Sequence, residues 1–173
     1  MNPKDFVTTY LPFAKIAEAK TGVSAIAILA QGALESGWGA AVVGNSFFGV
    51  KSLPGALDAD KQLITTTEYS RRMDLKFPVI LSVTPIVRNG IKMYKYSVKD
   101  YFEKYDSAAE CFEEHGNFFI ENPRYKSALL VKDDPVKFLT AVAKAGYATD
   151  PNYADTLTKI VAMINKNIKI GFS

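Results

Sequence analysis

The chain has 173 residues, 48% of them hydrophobic and 23% charged, which suits one compact domain with a sizeable core and leaves little for a second. Its formal net charge is +3, its pI is near 8.8 and its basic residues are scattered. Nucleic acid is therefore a weak expectation, and an anionic polymer such as a cell wall is equally compatible. Cys111 stands alone, which excludes an internal disulfide.

The N-terminus, "MNPKDFVTTYLPF", lacks the basic start and long apolar core of a secretory signal, and no segment reaches membrane-spanning length. Taken as a whole gene product, the chain is expected to avoid ordinary secretion and membrane insertion. From Phe6 to Lys20, Phe6, Tyr10, Phe13 and Ala17 recur at helical spacing, with Pro12 as a kink or restart and Gly22 as a stop. Ser24 is a good cap for the next helix, "AIAILAQGALE", on which Ile28, Gln31 and Glu35 share one side before Gly37 ends it.

Between Leu53 and Tyr105, "QLITTTEYS", "FPVILSV" and "IKMYKYSV" are rich in β-branched and aromatic residues, and "RNG" at 88–90 signals a tight hairpin. Helical patterning returns at Ser107, where "SAAE" forms a capping box and Ala108, Cys111, Phe112, His115 and Phe119 line one face. Asp134 with Pro135, and Asp150 with Pro151, read as cap plus first-turn proline for two more helices, the last burying Leu157, Ile160, Val161 and Ile164. The expected fold class is α+β: a helical lobe at 1–51 and 106–173, a small antiparallel β-lobe at about 52–105, and a substrate cleft between them, all in one domain at 1–173.

Glu35 stands out as candidate chemistry. At the C-terminal end of its helix it meets the negative end of the macrodipole, which disfavours the carboxylate, and Trp38, Phe47 and Phe48 are expected to desolvate it further. A carboxyl group kept protonated near neutral pH suits a general acid. A solvated helix-end glutamate is the competing reading. Gly37, Gly39, Gly44 and Gly49, which let backbone approach a ligand, favour the acid. In "TTTEYS" a strand sends Thr66 and Glu68 to one face and Thr67 and Tyr69 to the other, so Glu68 is either a second carboxylate for a glycosidic bond or a solvent-facing residue paired with Arg71 or Arg72. Tyr147 and Tyr153 in "AGYATDPNYA" offer rings for sugar stacking or simply pack, with Asp150 as the helix cap.

Other chemistries find no support. His115, the single histidine, sits on an apolar stripe and reads as a hydrogen-bonded core residue; no histidine serves Cys111, no ligand cluster suggests zinc, and no glycine-rich phosphate loop is present.

"ALESGWG", "NSFFGVK", "TTTEY", "NPRYKSAL" and "AGYATDPNYADTLTKIV", in that order, resemble the glucosaminidase domains of glycoside hydrolase family 73, which include flagellar peptidoglycan hydrolases, autolysins and phage lysins. The resemblance spans roughly Phe6 to Ile164 and implies a lysozyme-like fold. It also implies endo-cleavage of the β-1,4 bond between N-acetylglucosamine and N-acetylmuramic acid, with Glu35 as general acid and Glu68 as the β-lobe carboxylate. Tyr147 matches the tyrosine that lines that family's site and is needed for full activity, a third catalytic candidate; Trp38, Asn45 and Phe48 resemble residues shaping the sugar groove, and Tyr153 is a further substrate-binding candidate. Between "TTTEY" and "YFEKYDS" the chain departs from the pattern with a longer stretch, including "FPVILSVTPIVRNGIKMY".

The resulting expectation is a peptidoglycan hydrolase acting on glycan strands as a monomer, without metal or cofactor and without nucleic-acid partners. Water attacks the sugar with help from Glu68 or from the substrate's N-acetyl group. Release by a phage or prophage, or a dedicated export route, is expected to deliver it to the wall. The rival readings are a muramidase or lytic transglycosylase, and a non-catalytic wall-binding or phage tail module.

Overall fold

The computed structural model describes residues 1–171, so Phe172 and Ser173, included in the domain expected at 1–173, lie outside the described residues. The described chain divides into two compact units, a helical one formed by residues 1–48 and 105–171 and a strand-rich one formed by residues 49–104.

In the helical unit, α1 runs Pro3–Thr21, α2 Ala25–Glu35, α3 Ala108–Glu121, α4 Pro135–Lys144 and α5 Tyr153–Gly171. Asn2 caps α1 by accepting from the Asp5 N–H, and Gly22, left-handed at φ +71°, ends it. Pro12 does not restart the helix: α1 continues through it, and both Pro12 and Thr8, whose carbonyl loses its helical donor, face solvent. Helix α2 is the hub, packing against α1, α4 and α5, and from Ala25 to Ala33 only Ile26 escapes full burial. An all-round apolar helix of this kind belongs in a core, and its alanines let the neighbours close in. Helices α1 and α3 approach so tightly that a Cβ on Gly116 would lie 2.8 Å from the Thr21 side chain.

Ser107 caps α3 by accepting from the Glu110 N–H, while the Glu110 carboxylate accepts from the N–H of Asp106. The α3 face read from the sequence is buried throughout, with Phe112 and Phe119 fully so. Asp134 caps α4, but α5 starts later than the Asp150–Pro151 pair suggests. Asp150 accepts from the Asn152 N–H to make a turn, and the first helical carbonyl belongs to Asn152, which receives the Thr156 N–H. Leu157, Ile160, Val161 and Ile164 of α5 all enter the core.

The strand-rich unit holds β1 (Lys61–Ser70), β2 (Val79–Arg88) and β3 (Ile91–Glu103) in one antiparallel sheet of order β1-β3-β2. Asn89 and Gly90, both at positive φ, make the hairpin turn between β2 and β3. The unit begins at Gly49 because the chain there already pairs with β3: the Glu103 N–H donates to the Val50 carbonyl and the Ser52 N–H to that of Tyr101. One face of β3 is well covered, with Tyr96 and Val98 fully buried. The Tyr96 hydroxyl donates to the Arg72 carbonyl and its ring meets Phe77, so the strip after β1 folds across it.

Candidate active site

Glu35 is the last residue of α2, followed by Ser36 and then three left-handed residues, Gly37, Trp38 and Gly39, at φ +57°, +57° and +80°. The Trp38 N–H reaches back to the Ala33 carbonyl at 2.7 Å, which ties the reversal to the helix end. This conformation strains a bulky residue such as Trp38, and it aims the indole at Phe6, edge-on at 5.5 Å.

Glu35 is exposed, yet neighbouring atoms take part of the water from its carboxyl. Desolvation raises its pKa, partly opposed by a hydrogen bond from the Tyr153 hydroxyl to Oε1 at 3.3 Å. The aromatic partner at the carboxyl is thus Tyr153 of α5. Phe47 is committed to a ring cluster with Phe6, Tyr10 and Phe112, and Phe48 lies flat on His115 at 3.5 Å.

Tyr147 is half-buried and stacks on Tyr153 with centroids 5.7 Å apart; burial pushes both phenols above their ordinary range, and the nearby Glu35 adds to it. Asn45, left-handed at φ +58°, donates to the Tyr105 carbonyl at 3.0 Å and so pins the loop that carries Phe47 and Phe48. The structure brings Glu35, Tyr147 and Tyr153 together through these contacts. Trp38, Asn45 and Phe48 shape the following loop by packing and backbone pairing.

Glu68 belongs to the strand-rich unit. It shares the half-covered face of β1 with Thr66, opposite Tyr96 of β3, while Thr67 and Tyr69 face solvent. Its charge partner is Lys51, 2.8 Å away, and the same ammonium reaches Asp100 at 2.9 Å; Arg72, one of the partners considered from the sequence, pairs with Asp74. Burial works to lower the Lys51 pKa, but the bonds and charges of Glu68 and Asp100 outweigh it and raise it. A hollow of about 390 Å³ lies on the other face of this sheet, among Thr67, Ser82, Thr84, Ile86, Lys95 and Ser97. It contains no carboxylate and is not where an acid could act.

Sequence reading did not select Gln31, Lys51 or Asp100, and it set His115 aside as core. Gln31 was signalled by its place one helical turn before Glu35; nothing local marks Lys51, whose partners come from two strands.

A lysozyme-like body with one desolvated carboxyl at a helix end defines a glycoside hydrolase domain. The family model described as mannosyl-glycoprotein endo-β-N-acetylglucosaminidase matches residues 11–166, and the chain belongs to this glucosaminidase family. It is 30% identical over 92% of its length to a peptidoglycan hydrolase FlgJ of Vibrio parahaemolyticus and 32% identical over 93% to that of Vibrio cholerae, covering 46% and 43% of those proteins. The chain therefore spans a little under half the length of these relatives. Its fold matches the glycoside hydrolase domain of Salmonella typhimurium FlgJ with a TM-score of 0.69 at 31% identity, covering 95% of this chain and 99% of that one. Among the described residues, no helix is long and apolar enough to cross a membrane.

Proposed function

We propose that the chain is a peptidoglycan hydrolase of the endo-β-N-acetylglucosaminidase type, with Glu35 as general acid. The observation that carries this reading is the Glu35 carboxyl itself: desolvation favours its protonated form, while Tyr153 stands ready to stabilise the anion left after proton transfer. Family membership and the FlgJ relatives support the bond and the polymer.

Glu35 gives its proton to the glycosidic oxygen as the C1–O bond breaks and its electron pair moves to that oxygen. Water then adds to C1 and gives up a proton to the Glu68 carboxylate, the proposed base. Tyr147 presents its hydroxyl to the sugar beside Glu35, and Trp38, Asn45 and Phe48 hold the shape of the adjoining loop. The wall substrate sets the place of action outside the cytoplasm, reached by phage release or a dedicated exporter.

Digestion of purified peptidoglycan with wild type and Glu35→Gln, read by mass spectrometry, tests this. Wild type should release fragments with new N-acetylglucosamine reducing ends, and Glu35→Gln should lose about 10²–10⁴-fold in turnover, the usual worth of a general acid. Equal turnover of the two proteins refutes the acid assignment. Anhydro-muramic products would make the chain a lytic transglycosylase. Unchanged turnover of folded Glu68→Gln would transfer the base role to the substrate's N-acetyl group, whose carbonyl oxygen attacks C1 before water opens the ring so formed.

A further inference from the structure

We infer that Gln31 and His115 are positioning residues for the acid: together with Tyr153 they form a directional hydrogen-bond chain, His115 to Gln31 to Tyr153 to Glu35, that fixes which carboxyl oxygen delivers the proton. This rests on the reading of Glu35 as general acid and extends it to residues that never touch substrate.

The chain follows from three contacts and the chemistry of each group. His115 Nε2 lies 3.0 Å from Gln31 Oε1, Gln31 Nε2 donates to the Tyr153 hydroxyl at 3.0 Å, and that hydroxyl donates to Glu35 Oε1 at 3.3 Å. An amide oxygen only accepts, so a neutral imidazole must carry its proton on Nε2 to make the first bond. Burial keeps the ring neutral, pushing its pKa down to about 3. Because the Tyr153 oxygen already accepts from the Gln31 amide, its own proton is free for Glu35.

The parts are held where they cannot readily turn. Gln31 is wholly buried and Tyr153 nearly so, at 6% exposure. The imidazole is clamped between Phe48, parallel at 3.5 Å, and Phe119, edge-on at 4.9 Å. A flipped Gln31 amide would face the tyrosine with its oxygen and take the proton meant for Glu35; in the structure that oxygen faces His115 and the amide nitrogen faces Tyr153, which leaves the tyrosine proton for Glu35. With its hydroxyl and ring thus engaged, Tyr153 serves the acid instead of stacking on sugar. Glu35 Oε1 is occupied as an acceptor, which leaves Oε2 to carry the proton toward the glycosidic oxygen. The tyrosine bond strengthens as Glu35 gains charge, so it acts more in the transition state than before it.

The titratable groups around Glu35 are Tyr153 from α5, Tyr147 from the segment between α4 and α5, and His115 of α3 through Gln31. Burial raises both phenols and lowers the imidazole, so none of them changes charge where a raised glutamic acid titrates. None of these three groups therefore contributes to a shift in that range.

The test is the alkaline limb of the pH profile of kcat/KM, which follows the protonated acid. The Tyr153 bond lowers the Glu35 pKa, so Tyr153→Phe should move the limb to higher pH while reducing kcat about tenfold or more, as for a lost hydrogen bond to a charged group. Gln31→Met and His115→Phe, which keep side-chain bulk and ring stacking, should shift the limb the same way by successively smaller amounts. Tyr153→Phe combined with Gln31→Met should be no worse than Tyr153→Phe alone, because links in one chain are not additive. Titration of the Glu35 side-chain carbon by NMR reads the same shift without turnover. An unmoved limb and titration in folded Tyr153→Phe, with Glu35→Gln inactive, would overturn the chain while leaving the acid intact; an active Glu35→Gln would remove both.

Discussion

The two units hold their carboxylates in opposite ways. In the helical unit Glu35 sits at the end of a buried helix, and its environment is built from desolvation and neutral donors: a phenol, an amide and an uncharged imidazole. In the strand-rich unit Glu68 lies on a half-covered sheet face and is held by a full charge, the Lys51 ammonium, shared with Asp100. Desolvation can keep a carboxyl protonated for acid chemistry, whereas the Glu68 carboxylate is met at hydrogen-bond distance by a cation.

The sharpest way to break the comparison is through packing. Phe112 is fully buried and meets Phe47, Phe48 and Tyr10 at 4.8, 5.9 and 6.3 Å, so Phe112→Ala should cost about 3–5 kcal/mol in a denaturant titration. Leu63 on the solvent face of β1 is 42% exposed, and Leu63→Ala should stay within about 0.5 kcal/mol. Similar losses for the two would show that the helical unit lacks the rigid core on which its acid depends.

A smaller effect concerns Glu35 as a burden on the fold. Its pKa in the folded protein is above the unfolded value, so the native state holds the proton more tightly than the unfolded chain. The stability this gives is complete below the unfolded pKa and is lost as the pH rises through the folded one. Glu35→Gln should therefore melt above wild type at neutral pH, and the gap should close as the pH falls below the ordinary glutamate range. Thermal scans across that interval check it, and a gap independent of pH would assign the gain to something other than the carboxyl charge.

How much of this was legible depends on the range of the contacts. The caps at Ser24, Ser107 and Asp134, the stop at Gly22 and the Asn89–Gly90 turn are local, and each could be read from a few neighbouring residues. Pro12 misled because its penalty depends on which side of α1 it occupies, and only the packed helix shows that side to be wet. Asp150 misled because an aspartate that starts a turn and one that caps a helix present the same Asp-Pro pair. Glu35 was visible as a charge ending an apolar run. The linkage of its supports was not, since Gln31, although one helical turn before it, meets residues 84 and 122 positions away.

The smallest predicted effect discriminates best between the two environments. Lys51 is 49% exposed, so its pairing with Glu68 and Asp100 is worth little, and Lys51→Met should lower stability by about 0.2–1 kcal/mol at low salt. Removing the ammonium also leaves two carboxylates on neighbouring strands without the cation between them. Both the lost attraction and the uncovered repulsion are screened by salt, whose Debye length falls to about 3 Å at 1 M. Wild type and Lys51→Met should therefore converge in urea titrations as sodium chloride is raised. Phe112→Ala should keep its full deficit under the same conditions, because the contacts it removes carry no charge. A Lys51→Met deficit that persisted at 1 M salt would mean that the lysine stem, through packing, holds the start of the strand-rich unit, and Glu68 would then no longer be a carboxylate governed by charge.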